Sequence, residues 1–355
     1  MGSKFSEPLR DRRSRQAQPV LNDFHLMSPV SMGRHCDMIR KVEHKLTGDL
    51  FALKYMNKGH YARKRAIESL VRERVLLSEI DHPFIVNLRS AFQDKDYCYF
   101  VLDLVEGGDL SSILQSHSSI PEHVKKIWIA EVALALSYLH VELKIVHRDV
   151  KPSHILLDPL GHAHLSDFHI ATHYERTKKK AQPYPPSDSS DNLLVTKACM
   201  FTRRLQLTSI TGTLPYMAPE ILERKGYSWE VDWWSLGVTA YELMFRELPF
   251  GPESDDATKA GFGHGGCSTG LSSPSSISSP SSCSSTSRWT STDDQERARE
   301  TERAILADEL EFPEDAEKWC SDEGIDAIAC VSFTSPKCSL WCNLTVPPTS
   351  RPPVS

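Results

Sequence analysis

The sequence predicts an α+β protein of two lobes, a smaller strand-rich part followed by a larger helical part. Three observations carry this expectation. Turn residues separate β-rich runs between Phe24 and Val105. From Asp109 onward, apolar residues recur at helical spacing, most clearly over 121–140 and 228–245. The chain has 355 residues, 40% hydrophobic and 25% charged, enough to bury the cores of two lobes. A formal net charge of -6 excludes a nucleic-acid polycation. No apolar run is long enough to span a bilayer, and no secretory leader pattern opens the chain. Nine cysteines, an odd number without a C-x-x-C pair, fit a reduced compartment rather than a disulfide framework.

The elements follow in order. Residues 1–20 are polar, with Lys4, Arg10, Arg12, Arg13 and Arg15, and read as a disordered basic arm. Residues 21–105 make the first lobe. Strand character runs from Phe24 through Lys41–His44, a Thr47-Gly48 turn, and Leu50–Met56. Ala66, Ile67, Leu70, Val71, Val75, Leu76 and Leu77 predict a helix over 62–80, stopped by His82-Pro83. Residues 84–92 and 97–105 read as another strand pair. The second lobe covers 106–250. Val124, Ile127, Trp128, Val132, Leu136 and Leu139 predict a helix over 121–140, with Pro121 suited to its first turn. Residues 145–172 are short apolar runs between polar loops, and 176–207 read as an insertion rich in lysine, proline and serine. The Ser/Gly/Pro-rich stretch 251–292 lacks the apolar surface to order itself. Residues 293–329 resume the late helices, and 330–355 form a divergent tail. A ligand is expected between the lobes.

The chemistry-bearing motifs lie in a fixed order. Ala52-Leu53-Lys54 comes first, then His147-Arg148-Asp149-Val150-Lys151-Pro152 and Ser166-Asp167-Phe168-His169. Gly212-Thr213, Ala218-Pro219-Glu220 and Asp232-Trp233-Trp234-Ser235-Leu236-Gly237 follow. Taken singly each is weak: a strand lysine such as Lys54 is usually a solvated charge, and a helical Glu73 usually a surface pair partner. Together they resemble the eukaryotic protein kinases. Val42-Glu43-His44-Lys45, Leu53-Lys54-Tyr55-Met56-Asn57-Lys58, His82-Pro83-Phe84, Phe92-Gln93-Asp94 and Gly107-Gly108-Asp109-Leu110 narrow the resemblance to AGC-type serine/threonine kinases. Within these it looks like the YANK branch, fungal members in particular, over roughly residues 22–329.

The resemblance implies a bilobal protein kinase-like fold, ATP and Mg²⁺ as cofactors, and phosphoryl transfer to protein Ser or Thr in signal transduction. It implies that Lys54 bridges the ATP phosphates and that Glu73 pairs with Lys54. Gly33 approaches the phosphates, Asp103-Leu104-Val105 form the adenine-binding hinge through their backbone groups, and Asp109 accepts from the ribose. Asp149 orients the substrate hydroxyl, Lys151 neutralises the transferring phosphoryl, and Thr213 braces both. Asp167 holds Mg²⁺, with His154 at the second metal position, and Asp232 anchors the backbone at His147 and Arg148.

Three departures stand beside this. The glycine loop is eroded: one register, Ser31 to Cys36, keeps only Gly33, while counting back from Glu43 places Met32, Arg34 and Asp37 at the glycine positions. His154 replaces asparagine as a metal ligand, and His169 follows Asp167-Phe168 in place of glycine. Past Ile328 the resemblance stops, so the second lobe is expected to be incomplete and Glu220 to lack its arginine partner. Cys330, Cys338 and Cys342 match no standard zinc spacing. These departures keep a second reading open, a pseudokinase that binds nucleotide or serves as a signalling scaffold. Met1-Gly2-Ser3-Lys4-Phe5-Ser6 fits an N-myristoylation pattern, with the arginines at 10–15 as a second membrane signal, so the expected location is cytoplasmic and membrane-peripheral. A phosphate on Ser209 could pair with Arg148.

Overall fold

The computed structural model describes residues 19–32, 38–59, 64–176, 203–204, 207–251, 292–307 and 310–333. Gly33, most of the basic arm, the interior of 176–207, nearly all of 251–292 and the tail from 334 lie outside the described residues. The chain divides into two compact units, one of residues up to 67 with 88–104, the other of 68–87 and those from 105 onward.

The first unit is built on an antiparallel five-stranded sheet. Its strands are β1 (Phe24–Met32), β2 (Met38–His44), β3 (Leu50–Asn57), β4 (Leu88–Gln93) and β5 (Tyr97–Asp103), in the order β1-β2-β3-β5-β4. Alternation places Val42, Leu53, Tyr99 and Val101 with Phe24 in one buried cluster. Stacked Phe92 and Tyr99, ring centroids 4.8 Å apart, extend it. Pro29 sits at a register break of β1, an edge strand, where a missing N–H does least harm. The expected strand over 84–92 begins only at Leu88. Before it, the Asn87 side chain accepts from His82 N and donates to His82 O, closing a turn that Pro83 favours.

The helix α1 (Lys64–Glu79) runs across the boundary between the units. The second unit continues with α2 (Leu110–Ser116) and α3 (Glu122–Tyr138). Beyond α3 a π-helical turn, Leu139–Leu143, carries the chain to Lys144 at φ 57. Two short antiparallel pairs follow. The strand β6 (Ile145–Val146) meets β9 (Thr172–His173), and β7 (Ile155–Leu157) meets β8 (Ala163–Leu165). The ends of the predicted insertion are themselves paired: β10 (Glu175–Arg176) runs antiparallel to β11 (Arg203–Arg204). The short helix α4 (Pro219–Leu222) precedes α5 (Glu230–Phe245). Twelve residues of α5 are buried, which leaves it little amphipathic pattern and marks it as the core helix of this unit. Its Val231, Trp234 and Val238 pack with Tyr216, Tyr227, Phe250 and Ile305. Ile305 belongs to α6 (Thr292–Ala307), and α7 (Asp322–Phe333) adds Ile328 against Tyr241 and Met244 of α5. No helix among the described residues is long and apolar enough to cross a membrane.

Candidate active site

The loop between β6 and β7 is organised by one buried carboxylate. Asp232, in the first turn of α5, is fully buried. Its Oδ1 accepts from Arg148 N at 2.7 Å, and its Oδ2 accepts from His147 N at 2.8 Å. His140 Nε2 lies 2.7 Å from the same Oδ2. Burial alone would push the Asp232 pKa up, but the bond with His140 and the backbone donors hold it below the usual range. Arg148 is thereby kept at φ 72. His147 is fully buried, and burial lowers its pKa. Its Nδ1 accepts from Asp149 N, so its Nε2 carries the proton and donates to Ser166 O at 3.0 Å.

This anchored loop presents Asp149. Thr213 Oγ1 donates to Asp149 Oδ1 at 2.7 Å. Lys151 Nζ donates to Asp149 Oδ2 at 3.1 Å and to Thr213 Oγ1 at 2.5 Å. Lys151 and Asp149 are both buried. Burial raises the Asp149 pKa, but His154, Lys151 and Thr213 outweigh it and hold the carboxyl ionised below its ordinary value. Gly212, at φ 121, lets Thr213 approach: a Cβ there would stand 2.7 Å from Arg148 O.

Asp167 is brought to the same place by its neighbours. Ser166 N and Oγ both donate to His154 O at 2.9 Å, tying the segment after β8 to the 3₁₀ turn Pro152–His154. Asp167 has φ 64, a left-handed backbone rarely adopted by residues other than glycine. His154 Nδ1 donates to Asp149 O at 2.9 Å, and its Nε2 lies 3.2 Å from Asp167 Oδ2. Burial pushes the His154 pKa down to about 4, against the pull of Asp167 and Asp149. On the other side, His169 Nδ1 lies 2.8 Å from Asp167 Oδ1. Burial opposes the charged form of His169, but the Asp167 bond and the nearby carboxylates raise its pKa.

The structure thus brings Asp149, Lys151, Thr213, His154 and Asp167 together. The remaining sequence candidates are placed as follows. Lys54 lies on β3, opposite Ile39 of β2 and Phe100 of β5. Glu73 is buried on α1. Asp103 ends β5 and pairs with Arg89, its Oδ2 accepting from Nη2 at 3.0 Å. Val105 follows in irregular backbone. The Asp109 carboxylate caps α2, accepting from Ser112 N at 2.9 Å and Ser112 Oγ at 2.8 Å. Arg148 Nη1 donates to Ser209 Oγ at 3.1 Å. Burial and the nearby Glu230 and Glu223 raise the Glu220 pKa, and among the described residues no ion pair reaches it. The sequence reading did not find His140 or the roles of Ser166 and Gly212, since none carries a local signal of its contact with a residue far along the chain.

Comparison with known proteins adds to this geometry. Residues 32–298 match the protein kinase domain. The chain is 39% identical over 224 residues to serine/threonine-protein kinase 32C of Mus musculus, covering 62% of this chain and 40% of that protein. It is 33% identical over 279 residues to serine/threonine-protein kinase CBK1 of Pneumocystis carinii, covering 73% of this chain and 54% of the relative. Serine/threonine-protein kinase 32B of Homo sapiens is 38% identical over 214 residues, 59% of this chain and 45% of that one. The chain therefore spans about half the length of the curated relatives it matches.

Proposed function

This chain belongs to the protein kinase family, and on that premise we propose that it is an AGC-type serine/threonine kinase. It transfers the γ-phosphate of ATP to a Ser or Thr hydroxyl of protein substrates. The observation that carries this reading is the mutual bonding of Asp149, Lys151 and Thr213. Asp149, held ionised, orients the acceptor hydroxyl and accepts its proton. Lys151 places positive charge where charge builds on the transferring phosphoryl group. Thr213, donating to Asp149 and accepting from Lys151, keeps the two side chains in register. By the family resemblance Lys54 takes the ATP phosphates, while the Asp109 carboxylate, expected at the ribose, is engaged with Ser112 at the start of α2.

The family implies Mg²⁺ with the nucleotide. Asp167 offers carboxylate oxygens, which fit Mg²⁺; the imidazole of His154 does not. Bound beside Asp167, the ion would neutralise phosphate charge and fix its geometry. The pseudokinase alternative draws no support from the relatives, each of which is named as a kinase.

The test is cation-dependent ATP turnover on a generic protein substrate, with Asp149→Asn as the blank. Turnover above the blank is expected, and turnover equal to it in folded protein removes the reading. Location in the cytoplasm, with attachment to membranes through a myristoyl group on Gly2, is a separate proposal. It rests on the N-terminal motif, and an unmodified Gly2 in the N-terminal peptide would end it.

A further inference from the structure

A cavity of about 450 Å³ lies in the second unit, where the start of α3, the end of α5 and the turn before α7 meet. None of its lining residues belongs to the candidate active site. We propose that this cavity binds a small organic phosphomonoester, with the phosphate at Lys125 and Arg246 and the organic body against the indole of Trp319. Lys125 comes from the first turn of α3 and is buried, only 5% exposed. Among the described residues its ammonium has a single hydrogen-bond acceptor, Met244 O in the last turn of α5, at a long 3.3 Å. An ammonium carries three donors, so two remain for the cavity that Lys125 lines. Burial, and then the neighbouring Arg246, lower the Lys125 pKa against the weaker pull of Cys320 and Glu122.

The exposed Arg246 adds a second cation. It takes the left-handed position that ends α5, at φ 66, where glycine is usual. From there Nη1 donates to His117 O at 2.7 Å and to Ser118 O at 3.3 Å, and Nη2 donates to Leu114 O. All three acceptors are neutral carbonyls, so they orient the guanidinium without cancelling its charge. Two carboxylates also line the cavity. Glu122 is already engaged: Lys126 Nζ lies 2.7 Å from it, and Ser321 N and Oγ donate to it at 3.0 and 2.8 Å. Glu317 stands exposed to water. A phosphate monoester answers both cations through charge-assisted hydrogen bonds, the strong kind. The positive end of the α3 dipole opens on the same space, with Ser118 and Ser119 supplying hydroxyls. The volume is more than a bare phosphate fills. Trp319, 45% exposed, gives the remaining body of the ligand a flat apolar wall.

The test titrates phenyl phosphate and inorganic phosphate into the full chain by calorimetry, with a non-hydrolysable ATP analogue and Mg²⁺ present to occupy the nucleotide site. Phenyl phosphate is expected to bind saturably and more tightly than inorganic phosphate, and phenol not to bind. Lys125→Met replaces a buried charge with an apolar side chain of similar volume, so the fold is expected to persist. Its Kd for both phosphates should rise roughly tenfold or more, the scale of one hydrogen bond to a charged group. Trp319→Ala, at the exposed rim, should weaken phenyl phosphate and leave inorganic phosphate unchanged. This second variant carries the test if Lys125→Met does not fold. No saturable binding of either phosphate to the wild type, or an unchanged Kd in folded Lys125→Met, overturns the site. Equal affinity for the two phosphates, unaltered by Trp319→Ala, overturns the organic ligand. The kinase reading is judged separately by turnover against the Asp149→Asn blank, since neither variant lies in the catalytic loop.

Discussion

Replacing Asp232 with alanine should both destabilise the larger unit and disconnect its catalytic loop. The carboxylate is fully buried and accepts from His147 N and Arg148 N, with His140 Nε2 at 2.7 Å. Truncation strands these three groups away from water, and His140 Nδ1 already has no partner. Each stranded donor costs roughly 1–3 kcal/mol, and because the three share one cavity the expected loss is about 3–5 kcal/mol rather than their sum. With a urea slope of about 2–3 kcal/mol/M, the unfolding midpoint falls by roughly 1–2 M. Asp232→Asn keeps the volume and one acceptor oxygen, so it should lose less.

The pH dependence gives a second reading of the same bond. The Asp232 pKa is depressed in the fold, so its contribution is present above the unfolded value and is lost as pH falls through the folded one. The gap between wild type and Asp232→Asn should therefore close in acid. A shift of His147 and Arg148 also displaces Asp149, and misplacement by about 1 Å can cost on the order of 100-fold in turnover. The assay pairs urea unfolding with phosphoryl transfer. An Asp232→Ala protein within about 0.5 kcal/mol of wild type, the range of ordinary surface changes, would refute the reasoning.

Two further predictions concern other parts of the same unit. Burial raises the Glu242 pKa to about 7, although Tyr216 OH donates to it at 2.5 Å. The fold therefore prefers the protonated form, and stability declines as pH rises from about 4.5 to about 7, by about 3 kcal/mol in all. Glu242→Gln should raise the melting temperature by roughly 5–10 °C at pH 8 and leave it nearly unchanged at pH 4.5; equal effects at both would contradict the assigned shift. Gly212→Ala places a methyl group 2.7 Å from Arg148 O at a backbone of φ 121. Turnover should fall far more than nucleotide affinity, because Thr213 moves off Asp149, and an unchanged kcat would show that the close approach is dispensable.

Helices and strands were legible in the sequence because their signals are local. The apolar spacing over 62–80, 121–140 and 228–245 corresponds to α1, α3 and α5, and the β-rich runs before Val105 to the five-stranded sheet. The ordered motifs also named the family, since they preserve the groups that phosphoryl transfer requires. What the sequence could not decide is what each group touches. Lys151 meets Thr213 across 62 positions, and His147 meets Asp232 across 85. Asp109 reads as a ribose acceptor in its motif, yet its carboxylate caps α2, a contact set by where that helix begins. His154 reads as a substitution at one loop position. Only the tertiary structure sets its ring between Asp149 and Asp167, because the direction of an imidazole depends on hydrogen bonds from segments that are distant in the chain and adjacent in the fold.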